Sequence, residues 1–164
     1  MTSFISQLGR LYAAAVRICN SLQSPFLLFV RLYWGWQLIQ SGWGKLHNLA
    51  KVTEFFTSLN LPMPAQTAFF ISCVEFFGGL LLILGLLSRL NALVLTVNML
   101  MAYITADREA FLSFFSDPDK FSAAAPYVFL VASLIILVFG PGLFSLDTLL
   151  LRRYPNPSTN TTHP

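Results

Sequence analysis

Four apolar segments divide the chain and predict its architecture. They cover residues 25–44, 67–87, 90–106 and 126–140, with polar or amphipathic stretches between them. A membrane-spanning helix needs about 20 residues to cross a hydrocarbon core about 30 Å thick, so the first two segments fit and the third is short. The pattern predicts an all-α integral membrane protein, a bundle of four transmembrane helices with short interfacial amphipathic helices.

The N-terminal segment, residues 1–24, has a different pattern. Its apolar side chains recur at helical spacing, and Arg10 and Arg17 lie together on the opposite side. This arrangement is typical of a basic amphipathic helix that lies on an anionic membrane leaflet. Pro25 suits the first turn of a helix and is predicted to open the first span. The transmembrane domain is therefore predicted over residues 25–144.

Two long loops connect the spans. Residues 45–66 carry an amphipathic patch and form the first predicted loop, and residues 107–125 form the second. The second loop has an aromatic centre made of Phe111, Phe114 and Phe115. After the last span, residues 145–164 are predicted to form a short amphipathic piece followed by a polar, disordered tail.

Composition supports a membrane location. Hydrophobic residues make up 55% of the chain and charged residues 10%, whereas a soluble domain carries roughly 25% charged residues. The net charge of +3 comes from scattered lysines and arginines, and the absence of a basic run argues against a nucleic-acid partner. Four spans place both termini on one side, and the basic N-terminal segment favours the cytoplasmic side. Cys19 and Cys73 lie far apart, without metal-ligand spacing, so no metal site is predicted and their role stays open.

Two ionisable residues, Arg31 and Glu75, fall inside predicted spans. A charge at the bilayer centre costs at least about 2.5–3.5 kcal/mol, so each residue needs a partner or a hydrated cavity. Either a structural ion pair or a functional site satisfies that requirement, and the sequence leaves both open.

Helix geometry helps to choose the partner of Glu75. The first two spans are antiparallel, with Lys45 and Arg89 marking opposite interfaces about 30 Å apart. At 1.5 Å per residue, Glu75 then lies about 9 Å in depth from Lys45 and about 12 Å from Arg31. Lys45 is therefore at least as good a partner for Glu75 as Arg31. These three residues, Glu75, Lys45 and Arg31, are the candidate catalytic residues.

Small and polar residues on the same helix faces suggest a binding site. Glycines on the first two spans allow the helices to approach closely. Asn91, Asn98 and Thr105 recur at steps of seven and form a polar stripe on the third span. The stripe either makes hydrogen bonds between helices or, with the charged faces, lines a small polar cavity suited to a quinone headgroup or another small polar ligand. The candidate ligand-binding residues are Gly42, Trp43, Gly78, Gly79 and Asn98.

Several motifs occur in an order and spacing that resemble the DoxX family over about residues 25–150. They are Arg31-Leu32-Tyr33, Gly42-Trp43-Gly44-Lys45-Leu46, Phe55-Phe56 to Leu61-Pro62-Met63-Pro64, Glu75-Phe76-Phe77-Gly78-Gly79, Gly85 with Arg89, and Gly140-Pro141-Gly142 leading to Ser145-Leu146-Asp147. The resemblance implies a four-helix protein of the bacterial inner membrane. Some members are subunits of thiosulfate:quinone oxidoreductase, and others are linked to membrane-associated thiol and oxidative-stress complexes.

The leading hypothesis is a subunit of a quinone-linked membrane oxidoreductase. In it, Lys45 pairs with an anionic substrate such as thiosulfate, and Glu75 moves a proton. The alternative is a non-catalytic accessory or assembly subunit packed against a larger membrane complex. The expected partners are the lipid bilayer and other membrane subunits or a second copy of the chain. Transport of a small solute is a third, weaker hypothesis, because no inverted repeat is visible.

Overall fold

The computed structural model of the protein describes residues 2–153, with the side chains of Gln7 and of every residue from Gly9 onward. Across this range the chain is helical and has no strand, as the sequence predicts. The predicted disorder of the tail beyond residue 153 lies outside the described residues, as do the apolar side chains predicted at Ile5 and Leu8. The helices are α1 (Thr2–His47), α2 (Leu49–Ser58), α3 (Pro64–Leu84), α4 (Ser88–Thr105), α5 (Arg108–Leu112), α6 (Pro118–Ala123), α7 (Pro126–Phe139) and α8 (Leu146–Arg153).

The first helix is longer than the predicted first span. Residues 2–24 do not form a separate helix, because α1 continues through Pro25 as one helix of 46 residues. Proline removes one backbone N–H but fixes φ near the helical value, so it can lie inside a helix at the loss of a hydrogen bond. The N-terminal part of α1 is exposed on both its basic and its apolar side, with Leu11 69% and Tyr12 73% exposed. Its contact with a membrane leaflet stays a prediction.

The long helices pack in pairs. α1 packs against α3 and α4 against α7, and the pairs join through α3 with α4 and α1 with α7. Leu38, Leu82, Leu95 and Ile136, one from each helix, are almost fully buried between them. Within residues 2–153, two helical segments qualify as membrane spans by length and composition, Gly9–His47 and α3, and α7 is apolar but shorter. An all-helical fold with such segments indicates a helical membrane protein.

Glycines bring α1 and α3 together, as predicted. A Cβ on Gly79 would lie 2.7 Å from the carbonyl oxygen of Gly35, and one on Gly42 would overlap the backbone of Phe76. Gly35 therefore lies beside Gly79 while Gly42 lies beside Phe76, which makes the two helices antiparallel. This register determines the position of every charged group between them.

The two predicted loops contain short helices. The first holds α2, whose Phe56 is buried, and the second holds α5 and α6. Aromatic rings fix α6 against α4: Tyr103 stacks on Phe121 with ring centroids 5.0 Å apart and donates a hydrogen bond to its carbonyl oxygen at 2.8 Å. Phe114 packs edge-on against Phe121. Phe115, predicted to belong to this aromatic centre, packs edge-on against Phe114 with ring centroids 4.7 Å apart, although it is 93% exposed.

Candidate functional site

Arg31 is buried among backbone carbonyl groups. Its exposed fraction is 1%. Its Nε donates to the carbonyl oxygen of Leu82 at 2.8 Å and its Nη2 to that of Ile83 at 2.7 Å. Its Nη1 donates to the carbonyl oxygens of Pro141 and Phe144, both at 2.8 Å. The guanidinium therefore joins α1 to the end of α3 and to the turn after α7.

The end of α3 explains why a guanidinium lies there. The last carbonyl groups of a helix have no partner within the helix, and a cation at this end interacts favourably with the helix dipole. α3 ends at Gly85, where φ is +65°. Beyond it, the carboxylate of Asp147 accepts hydrogen bonds from the backbone N–H groups of Leu87 and Ser88 at 2.8 and 2.7 Å, at the start of α4. We call Arg31, its four carbonyl partners and Asp147 the Arg31 centre.

Glu75 forms a second charged group, further along the same pair of helices. Its Oε1 lies 2.5 Å from Lys45 Nζ, and its Oε2 accepts a hydrogen bond from the Ser41 hydroxyl at 2.8 Å. The side chain of Glu75 is 6% exposed and that of Lys45 is 34% exposed. We call Ser41, Lys45 and Glu75 the Glu75 centre. Burial of the carboxylate is thus compensated by a charge and a hydroxyl.

The structure separates the three predicted catalytic residues. It confirms the pairing of Glu75 with Lys45. Arg31 does not join them, because its guanidinium lies beside Ile83, eight residues and about 12 Å along α3 from Glu75. The inclusion of Arg31 in one polar site with Glu75 was therefore wrong. Its geometry is that of a residue that holds the fold together.

A cavity of about 1120 Å³ adjoins the Glu75 centre. Residues of α1, α2, α3, α4 and α7 line it, and most of them are apolar. Its polar lining residues are Ser41, Lys45, Lys51, Thr67, Glu75, Asn98, Thr105 and Asp107. The sequence predicted a small polar cavity, whereas this one is large and mainly apolar, with its charged pair on the α1 side.

The predicted polar stripe on α4 divides between two roles. Asn91 donates a hydrogen bond to the carbonyl oxygen of Gly78 at 2.9 Å and so joins α4 to α3. Asn98 and Thr105 line the cavity together with the Glu75 centre. Both interpretations of the stripe therefore apply, each to part of it.

The other predicted ligand-binding residues lie at contacts between side chains or helices. Gly42 and Gly79 are at the α1–α3 contact, and a Cβ on Gly78 would lie 2.8 Å from Leu95 of α4. Trp43 is 54% exposed, and its ring centroid lies 4.2 Å from that of His47. Among the five predicted ligand-binding residues, Asn98 is the one that lines the cavity.

The sequence interpretation missed Ser41 and the contribution of α2. Ser41 precedes Lys45 by four residues and therefore shares its helix face, a spacing that identifies it. Val52 and Phe56 of α2 line the cavity, and the amphipathic patch of this segment was their signal. Cys19 is exposed and Cys73 half-buried, and both are free thiols. In the described range, no group of three or more His, Cys, Asp or Glu side chains is placed to hold a metal ion.

Comparison with known proteins places this arrangement in a family. The model of the DoxX family matches residues 26–108, about half of the chain. The chain belongs to the DoxX family. The match runs from the apolar part of α1 to the start of α5 and so includes Arg31 and the whole Glu75 centre.

Two relatives of this DoxX chain are similar over most of their length. An uncharacterized protein of Haemophilus influenzae is 28% identical over 136 residues, which cover 80% of this chain and 87% of that protein. A Bacillus subtilis protein named "Putative oxidoreductase CatD" is 25% identical over 129 residues, 79% of this chain and 90% of that protein. No solved structure matches the chain.

Proposed function

We propose that this DoxX protein is a four-span protein of the bacterial inner membrane and the quinone-binding subunit of a membrane oxidoreductase. Four spans require α4 and α7 to cross beside the two longer helices. α4 has 18 residues and extends about 27 Å, and α7 has 14 residues and extends about 21 Å. A bilayer accommodates a short span by local thinning at modest cost. α7 is also free of charged residues and packs along α4.

The orientation belongs to the same proposal, with both termini in the cytoplasm. Arg10 and Arg17 lie in the exposed N-terminal part of α1, and Arg152 and Arg153 end α8. Basic residues beside spans favour the cytoplasmic side. Cys19 provides the test, since a membrane-impermeant thiol reagent should label it in inside-out vesicles and not in intact cells. The reverse labelling would overturn this orientation.

The cavity beside the Glu75 centre carries the proposal for quinone. It combines a charged pair with apolar walls, as ligand sites for amphiphilic molecules do. The Lys45 ammonium has three N–H donors and gives one to Glu75, so another is available to a ligand carbonyl oxygen. Glu75, held between Ser41 and Lys45, passes a proton to the ligand in this proposal. The name of the Bacillus subtilis relative, which describes an oxidoreductase, is in line with this chemistry.

The overall reaction assigns a limited task to this chain. A quinone becomes a quinol by taking up two electrons and two protons, and a reduced sulfur compound oxidised on a partner subunit supplies the electrons. Lys45 binds and polarises the carbonyl oxygen, and Glu75 delivers protons. General acid catalysis by a positioned carboxyl group contributes about 10²–10⁴-fold to a rate.

Glu75→Gln in the host membrane tests the proposal. The amide keeps the size of the side chain and removes its charge, so quinone reduction should fall by about 10² or more while the protein remains in the membrane. Glu109→Gln is the control, because Glu109 is exposed on α5. Wild-type electron transfer in Glu75→Gln membranes, together with purified protein that binds no quinone, would refute the proposal.

A second candidate function, that of an accessory subunit, rests on the exposed face of α1. Phe26, Phe29, Tyr33 and Trp36 are each about half exposed and recur at the spacing of one helix face. Phe29 stacks on Tyr33 with ring centroids 5.7 Å apart. Aromatic residues are enriched at contacts between proteins. Phe29→Ala should release a partner subunit from gently solubilised membranes under this hypothesis, and Glu75→Gln should leave the complex and its activity unchanged.

A further inference from the structure

We propose that the gap between α3 and α4 is the binding site of a long apolar tail, so that the ligand of the cavity is a lipid-soluble quinone that enters sideways from the bilayer. This inference rests on the proposed function and names its substrate class. It makes a tail-less, water-soluble quinone a poor ligand.

The walls of the gap carry this inference. Phe70 of α3 and Val94, Val97 and Met101 of α4 all line the cavity. Their exposed fractions are 67%, 44%, 53% and 50%, so these side chains border the cavity at a place where the protein does not cover it. Apolar side chains in this position favour an apolar occupant over a hydrated ion.

The path of the two helices explains why a gap exists there. Near their shared turn α3 and α4 are in contact, since Leu95 and Asn91 pack on Gly78. Further from the turn, both helices line the cavity instead, α3 with Phe70, Ile71 and Val74. The gap is therefore a lateral opening between two helices proposed to cross the membrane.

α2 covers part of the cavity on another side. It places Val52, Phe55 and Phe56 along the cavity, with Phe56 9% exposed and Phe55 49% exposed. α2 also packs along α3, which holds it over that part of the cavity. The volume of about 1120 Å³ lies above the usual range for a drug-sized ligand, about 300–1,000 Å³. A ring bound at Lys45 leaves space that a tail would fill.

Two quinones that differ in their tails provide the test. Full-length protein in lipid nanodiscs is titrated with decylubiquinone and with the same dimethoxy-methyl-benzoquinone ring without its tail, and partition into empty nanodiscs is subtracted. Val97→Trp fills the gap, and Met101→Trp is a second variant at the same opening. Val138→Trp is the matched control, because Val138 is 64% exposed on α7. Thermal unfolding verifies that each variant is folded.

The expected result is a loss that depends on the tail. Val97→Trp and Met101→Trp should weaken the binding of decylubiquinone by about tenfold and that of the tail-less ring by less than about twofold, while Val138→Trp changes neither. Equal binding of the two quinones by the native protein, or no effect of either tryptophan in the gap, overturns the tail site and leaves the proposed function standing. If the native protein binds neither quinone, both the tail site and the proposed function are overturned. Mass spectrometry of the purified protein would then identify a co-purified phospholipid as the occupant of the cavity.

Discussion

Two charged groups lie between α1 and α3, and they differ in what surrounds them. Arg31 is 1% exposed and donates four hydrogen bonds, all to backbone carbonyl oxygens. Lys45 is 34% exposed in its side chain, pairs with Glu75 and faces a cavity. The first group is satisfied by the fold itself, whereas the second retains donors that face open space.

This difference separates structure from function better than burial alone does. A buried charge in a membrane span indicates a functional site by default. Arg31 shows that the ends of helices can supply all the partners such a charge needs. The useful criterion is whether the polar atoms of the charged group face protein or cavity. By that criterion, the Glu75 centre is the candidate site.

The largest expected effect comes from removing the arginine of the Arg31 centre. Arg31→Met leaves four carbonyl groups without their donor and should destabilise the fold by about 3–5 kcal/mol, the range for breaking a buried charged contact. Arg31→Lys should recover only part of this loss, because an ammonium cannot reproduce the planar fork of a guanidinium. Thermal unfolding in detergent measures both.

Exposed Arg89, at the start of α4, supplies the control for Arg31. Arg89→Met should change stability by no more than about 0.5 kcal/mol. A folded Arg31→Met protein of wild-type stability that has lost quinone reduction would reverse the comparison and return Arg31 to the active site.

Gly42 and Gly44 form a matched pair that tests the α1–α3 contact. A Cβ at Gly42 would overlap the backbone of Phe76, whereas a Cβ at Gly44 meets nothing within 4 Å. Gly42→Ala should separate the helices near Lys45 and destabilise the protein by about 1–3 kcal/mol, as overpacking does. Gly44→Ala, in the same helix, should be neutral or stabilise by up to about 1 kcal/mol. Equal unfolding temperatures of the two variants would contradict the close contact.

A double-mutant cycle on Lys45 and Glu75 measures the second centre. Lys45→Met leaves the buried Glu75 carboxylate without a countercharge, and Glu75→Gln leaves the Lys45 ammonium without one, so the two substitutions should couple by about 0.5–3 kcal/mol. Because the side chain of Lys45 is 34% exposed and that of Arg31 is buried, we expect each single substitution to cost less than Arg31→Met. Additive effects on the unfolding free energy would show that the 2.5 Å contact contributes nothing to stability.

The sequence predicted the helical segments and one of the two charged contacts. Apolar runs identify helices because burial depends on side chains. Depth along a helix follows from residue counts, and this estimate identified Lys45 as the partner of Glu75. The partners of Arg31 were not found, because any residue presents a backbone carbonyl and the sequence does not mark it as an acceptor. The large cavity was also missed, since it depends on how far α3 and α4 diverge.

The smallest expected effect belongs to another ion pair, Lys120 with Glu109, which has the same chemistry as the Glu75 centre without its burial. Lys120 of α6 places its Nζ 2.9 Å from Oε2 of Glu109 on α5. The side chain of Glu109 is 90% exposed. The hydrogen bond from Lys120, and then its charge, hold the pKa of Glu109 below its ordinary value of 4.5. A lowered pKa in the folded state gives stability that is present above pH 4.5 and is lost as the pH falls through the lowered pKa.

Lys120→Met should remove this acid-side dependence and leave both the unfolding temperature at neutral pH and quinone reduction unchanged, because exposed pairs contribute little. Thermal unfolding as a function of pH measures the first effect. A large loss of stability at neutral pH would show that burial does not determine how much an ion pair contributes to the stability of this protein.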